Sequence, residues 1–216
     1  MWLMRNKTKI KRKLDHYSPW PLFYPLVMTP KEKTLFDRKI NKSKNYLEFG
    51  LGGSTLRALQ KSRANIYSVE SSQAWENEMR RYFLIRYSEK RRLTIHRVNI
   101  GNTRKWGYPE SNNCRHLFPN YSASIFEEFD SHSIDFALVD GRFRIACTLK
   151  IILECHANNR LEIAIHDFWH RENYHLVLKY LNVVDRADSL GVFSIKGSID
   201  KFKAIADYET YKFNPD

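Results

Sequence analysis

Two acids and a glycine cluster carry the most legible chemistry in this 216-residue sequence. In Tyr46-Leu-Glu-Phe-Gly-Leu-Gly-Gly-Ser-Thr-Leu56, Glu48 stands near the end of a short apolar run. Gly50, Gly52 and Gly53 follow, and Ser54 opens an amphipathic stretch. Glycines at a strand-to-helix turn let the backbone approach a ligand with no side chain in the way. A second apolar run, Ile66 to Val69, ends on another acid, Glu70. An acid about 20 residues past such a loop, on the tip of the next strand, is placed to accept hydrogen bonds from ribose hydroxyls. Together these residues describe a nucleoside-bearing cofactor lying across the carboxyl ends of parallel strands.

The acids also narrow the cofactor. A dinucleotide fingerprint reads Gly-x-Gly-x-x-Gly, and Thr55 stands where its third glycine belongs. Glu48 would repel a pyrophosphate, yet it can bind the ammonium of an amino-acid moiety directly or through water. S-adenosyl-L-methionine carries an ammonium and a ribose but no phosphate, so two carboxylates suit it better than NAD. The segment resembles motif I of the class I S-adenosylmethionine-dependent methyltransferases, with Glu70 matching their acid after strand 2. The run Ile134-Asp-Phe-Ala-Leu-Val-Asp-Gly-Arg-Phe-Arg-Ile-Ala-Cys147 is similar to strand 4 of a bacterial subgroup of that family whose substrate is unknown. So are Trp106-Gly-Tyr-Pro109 and Ile165-His-Asp-Phe168 with Arg171 and Tyr174 downstream. A fainter similarity runs to plant glucuronoxylan glucuronate O-methyltransferases, which lack the Gly141-Arg142-Phe143-Arg144 run.

The rule that ligands bind beyond the carboxyl ends of parallel strands selects further candidates. Asn99 ends strand 3, where its amide could meet an adenine edge or simply cap the turn. Asp140 ends a strongly apolar strand, where a carboxylate needs a partner. Arg142 or Arg144 can supply one; contact with cofactor, acceptor hydroxyl or metal is the functional reading. His166 and Asp167 share the tip of strand 5. His166 is the better general base, because imidazole titrates near neutral pH, whereas N-capping is a sufficient role for Asp167. Asp140 with Asp167 would also suit a magnesium or calcium ion, but no third ligand is identifiable, so a divalent metal is not the favoured reading. Trp106 and Tyr108 are expected to line the acceptor. Arg142, Arg144 and Arg171 could grip an anionic group or be spent on salt bridges.

Charge is uneven along the chain. Of the net +12, residues 1–44 hold 12 Lys and Arg against 3 Asp and Glu. The basic run from Arg5 to Lys13 could touch nucleic acid, anionic lipid or an acidic glycan, and a solvated tail is the favoured reading. The longest apolar stretch, Trp20 to Met28, is short and broken by Pro21 and Pro25, so no transmembrane segment is expected. Cys114, Cys147 and Cys155 have no paired spacing, which points to buried or free thiols and a reducing, cytoplasmic setting.

The elements that must position these residues alternate. Strands are expected at 46–49, 66–69, 93–100, 134–139 and 161–165, and helices at 30–42, 54–61, 73–87, 143–156 and 169–182. A closing hairpin is expected from Phe193 to Ile195 and Phe202 to Ala206. Residues 101–124 lose periodicity and read as a cover over the active site. The fold class is α/β: a doubly wound, Rossmann-like, mostly parallel sheet of about seven strands, with a basic arm over 1–29 and the domain over 30–216. The leading function is methyl transfer from S-adenosyl-L-methionine to an oxygen of a small-molecule or carbohydrate acceptor. The rivals are a non-catalytic module using its arm on nucleic acid or an acidic surface, and an NAD-linked oxidoreductase.

Overall fold

A run of β-branched and aromatic residues that can be covered on both faces forms an interior parallel strand. In the computed structural model, which describes residues 13–216, four such runs lie side by side, with a less covered edge strand beside them. The five are β1 (Asn45–Phe49), β2 (Asn65–Glu70), the edge strand β3 (Leu93–Arg97), β4 (Phe136–Val139) and β5 (Glu162–Ile165). Two more strands, β6 (Leu181–Ala187) and β7 (Leu190–Ile195), complete a sheet in the order β3-β2-β1-β4-β5-β7-β6. β1 to β5 pair in parallel, and β7 enters antiparallel against β5. The order reverses direction at β1 and β4, so ligands are expected beyond their tips.

Side chains alternate between two apolar layers. Leu47, Phe49, Ala137 and Val139 face a core shared with α6 (Arg144–Cys155) and α7 (Lys201–Tyr211). Tyr46, Phe136 and Leu138 face the opposite core, under α1 (Pro30–Ile40) and α2 (Gly53–Lys61). Glu48 therefore shares a face with Tyr46 and is carried beneath the start of α2.

Several expected boundaries move. The expected helix over 73–87 is two, α3 (Gln73–Met79) and α4 (Phe83–Glu89), with Phe83 N–H bonded instead to the arm carbonyl of His16 at 2.7 Å. The expected helix at 169–182 is a pair of 3-10 segments, Phe168–His170 and Glu172–Lys179, after which the chain enters β6. The closing hairpin is β6–β7, turning at Asp188 with φ 45°, and Lys201–Tyr211 is a helix and not a strand. Asp200 caps it by accepting from Lys203 N–H at 3.0 Å, and Ala204 and Tyr208 are buried one turn apart. The unperiodic segment contains short helical turns, among them α5 (Pro119–Ala123).

Residues 13–28 pack along α2 and α4. Gln60 donates to the Pro21 carbonyl at 2.6 Å, Tyr24 donates to Gln60 at 3.1 Å, and His16 meets the Tyr82 ring edge-on at 4.6 Å. The basic run from Arg5 to Arg12, and with it the expected contact with nucleic acid, lipid or glycan, lies outside the described residues. Among the described residues, no helix is long and apolar enough to cross a membrane.

Candidate active site

The tip of β1 is built around a fully buried carboxylate. Glu48 accepts hydrogen bonds from Tyr46 Oη at 3.0 Å, Ser54 Oγ at 2.8 Å and Thr55 Oγ1. Thr55 Oγ1 also accepts from Gly52 N–H at 2.9 Å, so the residue replacing the third fingerprint glycine ties the turn to the acid. Burial raises the Glu48 pKa to about 7 despite these hydroxyls. Both oxygens thus accept from hydroxyls of β1 and of the turn. The three glycines divide their duties. Gly50 has φ 113°, and a Cβ there would lie 3.0 Å from Gly141 Cα. A Cβ on Gly53 would lie 2.0 Å from the Pro25 carbonyl oxygen, so the arm rests directly on this glycine. Only Gly52 has open space where a side chain would begin.

At the tip of β2, Glu70 is pinned on one side. Its Oε1 accepts from Ser71 N–H at 2.8 Å and Ser72 N–H at 2.7 Å, while Oε2 accepts no hydrogen bond among the described residues. Burial raises its pKa to about 7, against the pull of those two amides. Asn99, beyond β3, is exposed and accepts from Gly101 N–H at 2.9 Å, which is the turn-capping role.

The tips of β4 and β5 carry a charge network. Asp140 Oδ1 lies 3.0 Å from His166 Nδ1 and 3.2 Å from Arg144 Nη2. Arg144 also reaches Asp167 Oδ2 at 3.2 Å and the His166 carbonyl at 2.6 Å. Arg171 joins Asp167 at 3.7 Å. Asp167 makes no capping hydrogen bond to the following turn, so its role is ionic. Burial opposes ionisation of Asp140, but His166 and Arg144 outweigh it and hold the pKa below the usual carboxylate value. Burial likewise depresses His166, and Asp140 outweighs it to raise the imidazole pKa. Two backbone outliers frame this network: Phe143 at φ 54° and Asp167 at φ 59°. A bulky residue in the left-handed region costs about 1–3 kcal/mol, and such strain clusters where a site is being shaped.

One member was not anticipated. Glu32 of α1 lies 3.5 Å from His166 Nε2, so the imidazole sits between two carboxylates. Glu32 also accepts from Thr29 N–H at 2.8 Å and from Ser189 N–H and Oγ at 3.0 and 2.6 Å. Thr29-Pro30-Lys31-Glu32 reads as a capping box, which locates the helix start but says nothing of the β6–β7 turn or His166.

Over the tips, Tyr121 of α5 is buried against Phe49 and Phe143, and its hydroxyl lies 2.2 Å from where a Gly141 Cβ would be. Gly141 therefore makes room for Tyr121. Tyr108 lies beneath the Arg142 guanidinium, 4.1 Å from ring centre to Cζ, and donates to Asp216 at 3.0 Å. Trp106 is 68% exposed with φ 67° and stands apart from the network. Among the described residues, no group of three or more His, Cys, Asp or Glu side chains is arranged to hold a metal ion.

No family model and no curated protein matches the sequence. Among solved structures, a methyltransferase-like protein from Silicibacter pomeroyi DSS-3 aligns with TM-score 0.76 and 24% identity, over 89% of this chain and 98% of that one. Spermidine synthase from Thermotoga maritima aligns with TM-score 0.41 and 13% identity, over 82% and 64% respectively. The first likeness shows a shared α/β fold.

Proposed function

We propose that this chain is an S-adenosyl-L-methionine-dependent methyltransferase acting on an oxygen of a small-molecule or carbohydrate-like acceptor. The observation that carries the reading is the half-engaged carboxylate of Glu70. Two amides fix one oxygen and leave the other for a ribose hydroxyl, on the strand next to the β1/β4 switch point of the sheet. The surroundings fit such a cofactor: the space at Gly52 is open, and Ser71 Oγ is buried without a partner beside Glu70. Glu48 supports the cofactor indirectly, by locking Ser54 and Thr55 and so the backbone of the glycine turn.

When bound, the cofactor supplies an electrophilic methyl group. The chain's task is then alignment and removal of one proton. Asp140 Oδ2 makes no hydrogen bond among the described residues, and the side chain is 27% exposed, so this atom can take the acceptor's hydroxyl proton. A hydroxyl becomes strongly acidic as its oxygen gains a carbon, so even a carboxylate of lowered pKa is a sufficient base. His166 and Arg144 hold Asp140 in place and keep it ionised until that moment.

The test is release of S-adenosylhomocysteine when the protein meets a panel of hydroxyl-bearing acids and sugars. Turnover that falls about a hundredfold in Asp140→Asn supports the proposal. Turnover untouched by that change overturns the assignment of Asp140.

A further inference from the structure

Three arginines follow the tips of β4 and β5, and they are not equivalent. Arg144 is buried and spent: it pairs with Asp140 and Asp167 and donates to the carbonyls of Gly141 and His166. Arg171 is half-exposed and pairs with Asp167. Arg142 is only 7% exposed, yet it makes no ion pair with any described residue, and none of its guanidinium nitrogens hydrogen-bonds to one. Its Nε is buried without a partner. Ser71 Oγ, from the tip of β2, is buried and unpartnered too. The two side chains flank Gly107: a Cβ placed there would lie 3.6 Å from Arg142 Cγ and 3.8 Å from Ser71 Oγ.

A largely buried guanidinium with no direct ion pair or hydrogen bond is costlier than a paired one, and a native chain rarely keeps one idle. From this geometry we infer that Arg142, stacked on the Tyr108 ring, and Ser71, beside Gly107, form an oxyanion subsite that takes a carboxylate or phosphate group. The guanidinium fork matches either group bidentately, and stacking on Tyr108 holds the plane of the fork. The Arg142 charge helps to hold the Asp140 carboxyl ionised, but neither neighbouring acid pairs with the guanidinium directly. Asp140 is committed to His166 and Arg144 through Oδ1, and Glu70 to two amides through Oε1. The inference deepens the methyltransferase reading by adding a ligand class. The oxyanion is either an acid group of the acceptor or the carboxylate of the cofactor's amino-acid end.

Inorganic phosphate is the probe. It is titrated into the full chain at constant ionic strength while the Nε–Hε resonance of Arg142 is followed by NMR. A saturable shift is expected, with phosphate binding weakened about tenfold or more in Arg142→Met and about threefold in Ser71→Ala. Loss of a remote surface charge in Arg91→Met should leave it unchanged. Ser71→Ala carries the test alone if Arg142→Met does not fold, which thermal melting decides. No saturable shift in the wild type, or equal affinity in wild type and Ser71→Ala, overturns the subsite. Repeating the titration with S-adenosylhomocysteine present separates the sources. Displacement of phosphate assigns the anion to the cofactor carboxylate, and simultaneous binding assigns it to the acceptor. Phosphate binding in a protein that does not bind S-adenosylhomocysteine would leave the subsite standing and remove the methyltransferase reading.

Discussion

His166 and Asp140 face each other across the tips of neighbouring parallel strands, Nδ1 to Oδ1 at 3.0 Å. The pair exists because β4 and β5 run in register, Val139 opposite Ile165, so that the next residue of each strand leaves the sheet at the same height. Arg144, the first residue of α6, closes the network from the β4 side, and Glu32 closes it from α1.

The histidine should titrate above its ordinary value of 6.5, because Asp140 outweighs the depression from burial. Its stabilising contribution is then fully present below 6.5 and lost as pH rises through the higher folded value. Histidine-ring NMR checks this. In Asp140→Asn the pKa of His166 should fall, and an unchanged titration would mean that the pair is not coupled.

Arg144 is the keystone of that network. Replacing it with methionine leaves Asp140 and Asp167 without their buried counter-charge, for an expected loss of about 3–5 kcal/mol in urea unfolding. Arg144→Lys should recover only part, since an ammonium cannot span both carboxylates and the strand carbonyls. A loss within experimental error for Arg144→Met would contradict the network.

Stability should decline from mildly acidic to mildly alkaline pH. Burial raises Glu48 and Glu70 to about 7 from 4.5, so each contributes stability that is complete below 4.5 and lost as pH passes 7. The full span is on the order of 3 kcal/mol for each group. His166 acts in the same direction, and His16, whose pKa burial lowers, opposes it. Urea midpoints taken between about pH 5 and 8 should fall, and Glu48→Gln should flatten roughly half of that slope. A wild-type midpoint that rises across this range would refute the assignment.

The arm should be released by one methyl group. Gly53→Ala would set a Cβ 2.0 Å from the Pro25 carbonyl, in backbone that cannot yield as a side-chain end does. Faster proteolysis within residues 13–28, with the sheet still folded by circular dichroism, is expected. Equal cleavage rates would show that the arm does not depend on this contact.

What could be read from the sequence was local. The runs at 46–49 and 136–139 are apolar because both faces are covered, and the acids at their ends follow from strand polarity. Residues 183–187 hid their strand because β6 is an edge, with Val183 and Val184 about half exposed and no inward alternation to see. The helix at 201–211 hid behind Phe202 and Ile205, apolar residues that face outward. Contacts spanning the chain left no local trace. Glu32 meets Ser189 and His166 only because α1 packs beside the β6–β7 turn, and the inward turn of Glu48 follows from the hydroxyls at Ser54 and Thr55.

Isothermal calorimetry with S-adenosylhomocysteine addresses the central claim most directly. The proposal expects saturable binding at one site per chain, weakened about tenfold or more in Glu70→Ala, which removes the carboxylate set aside for the ribose. A folded wild-type protein that gives no binding heat with excess ligand, or a Glu70→Ala variant that binds as tightly as wild type, would contradict it.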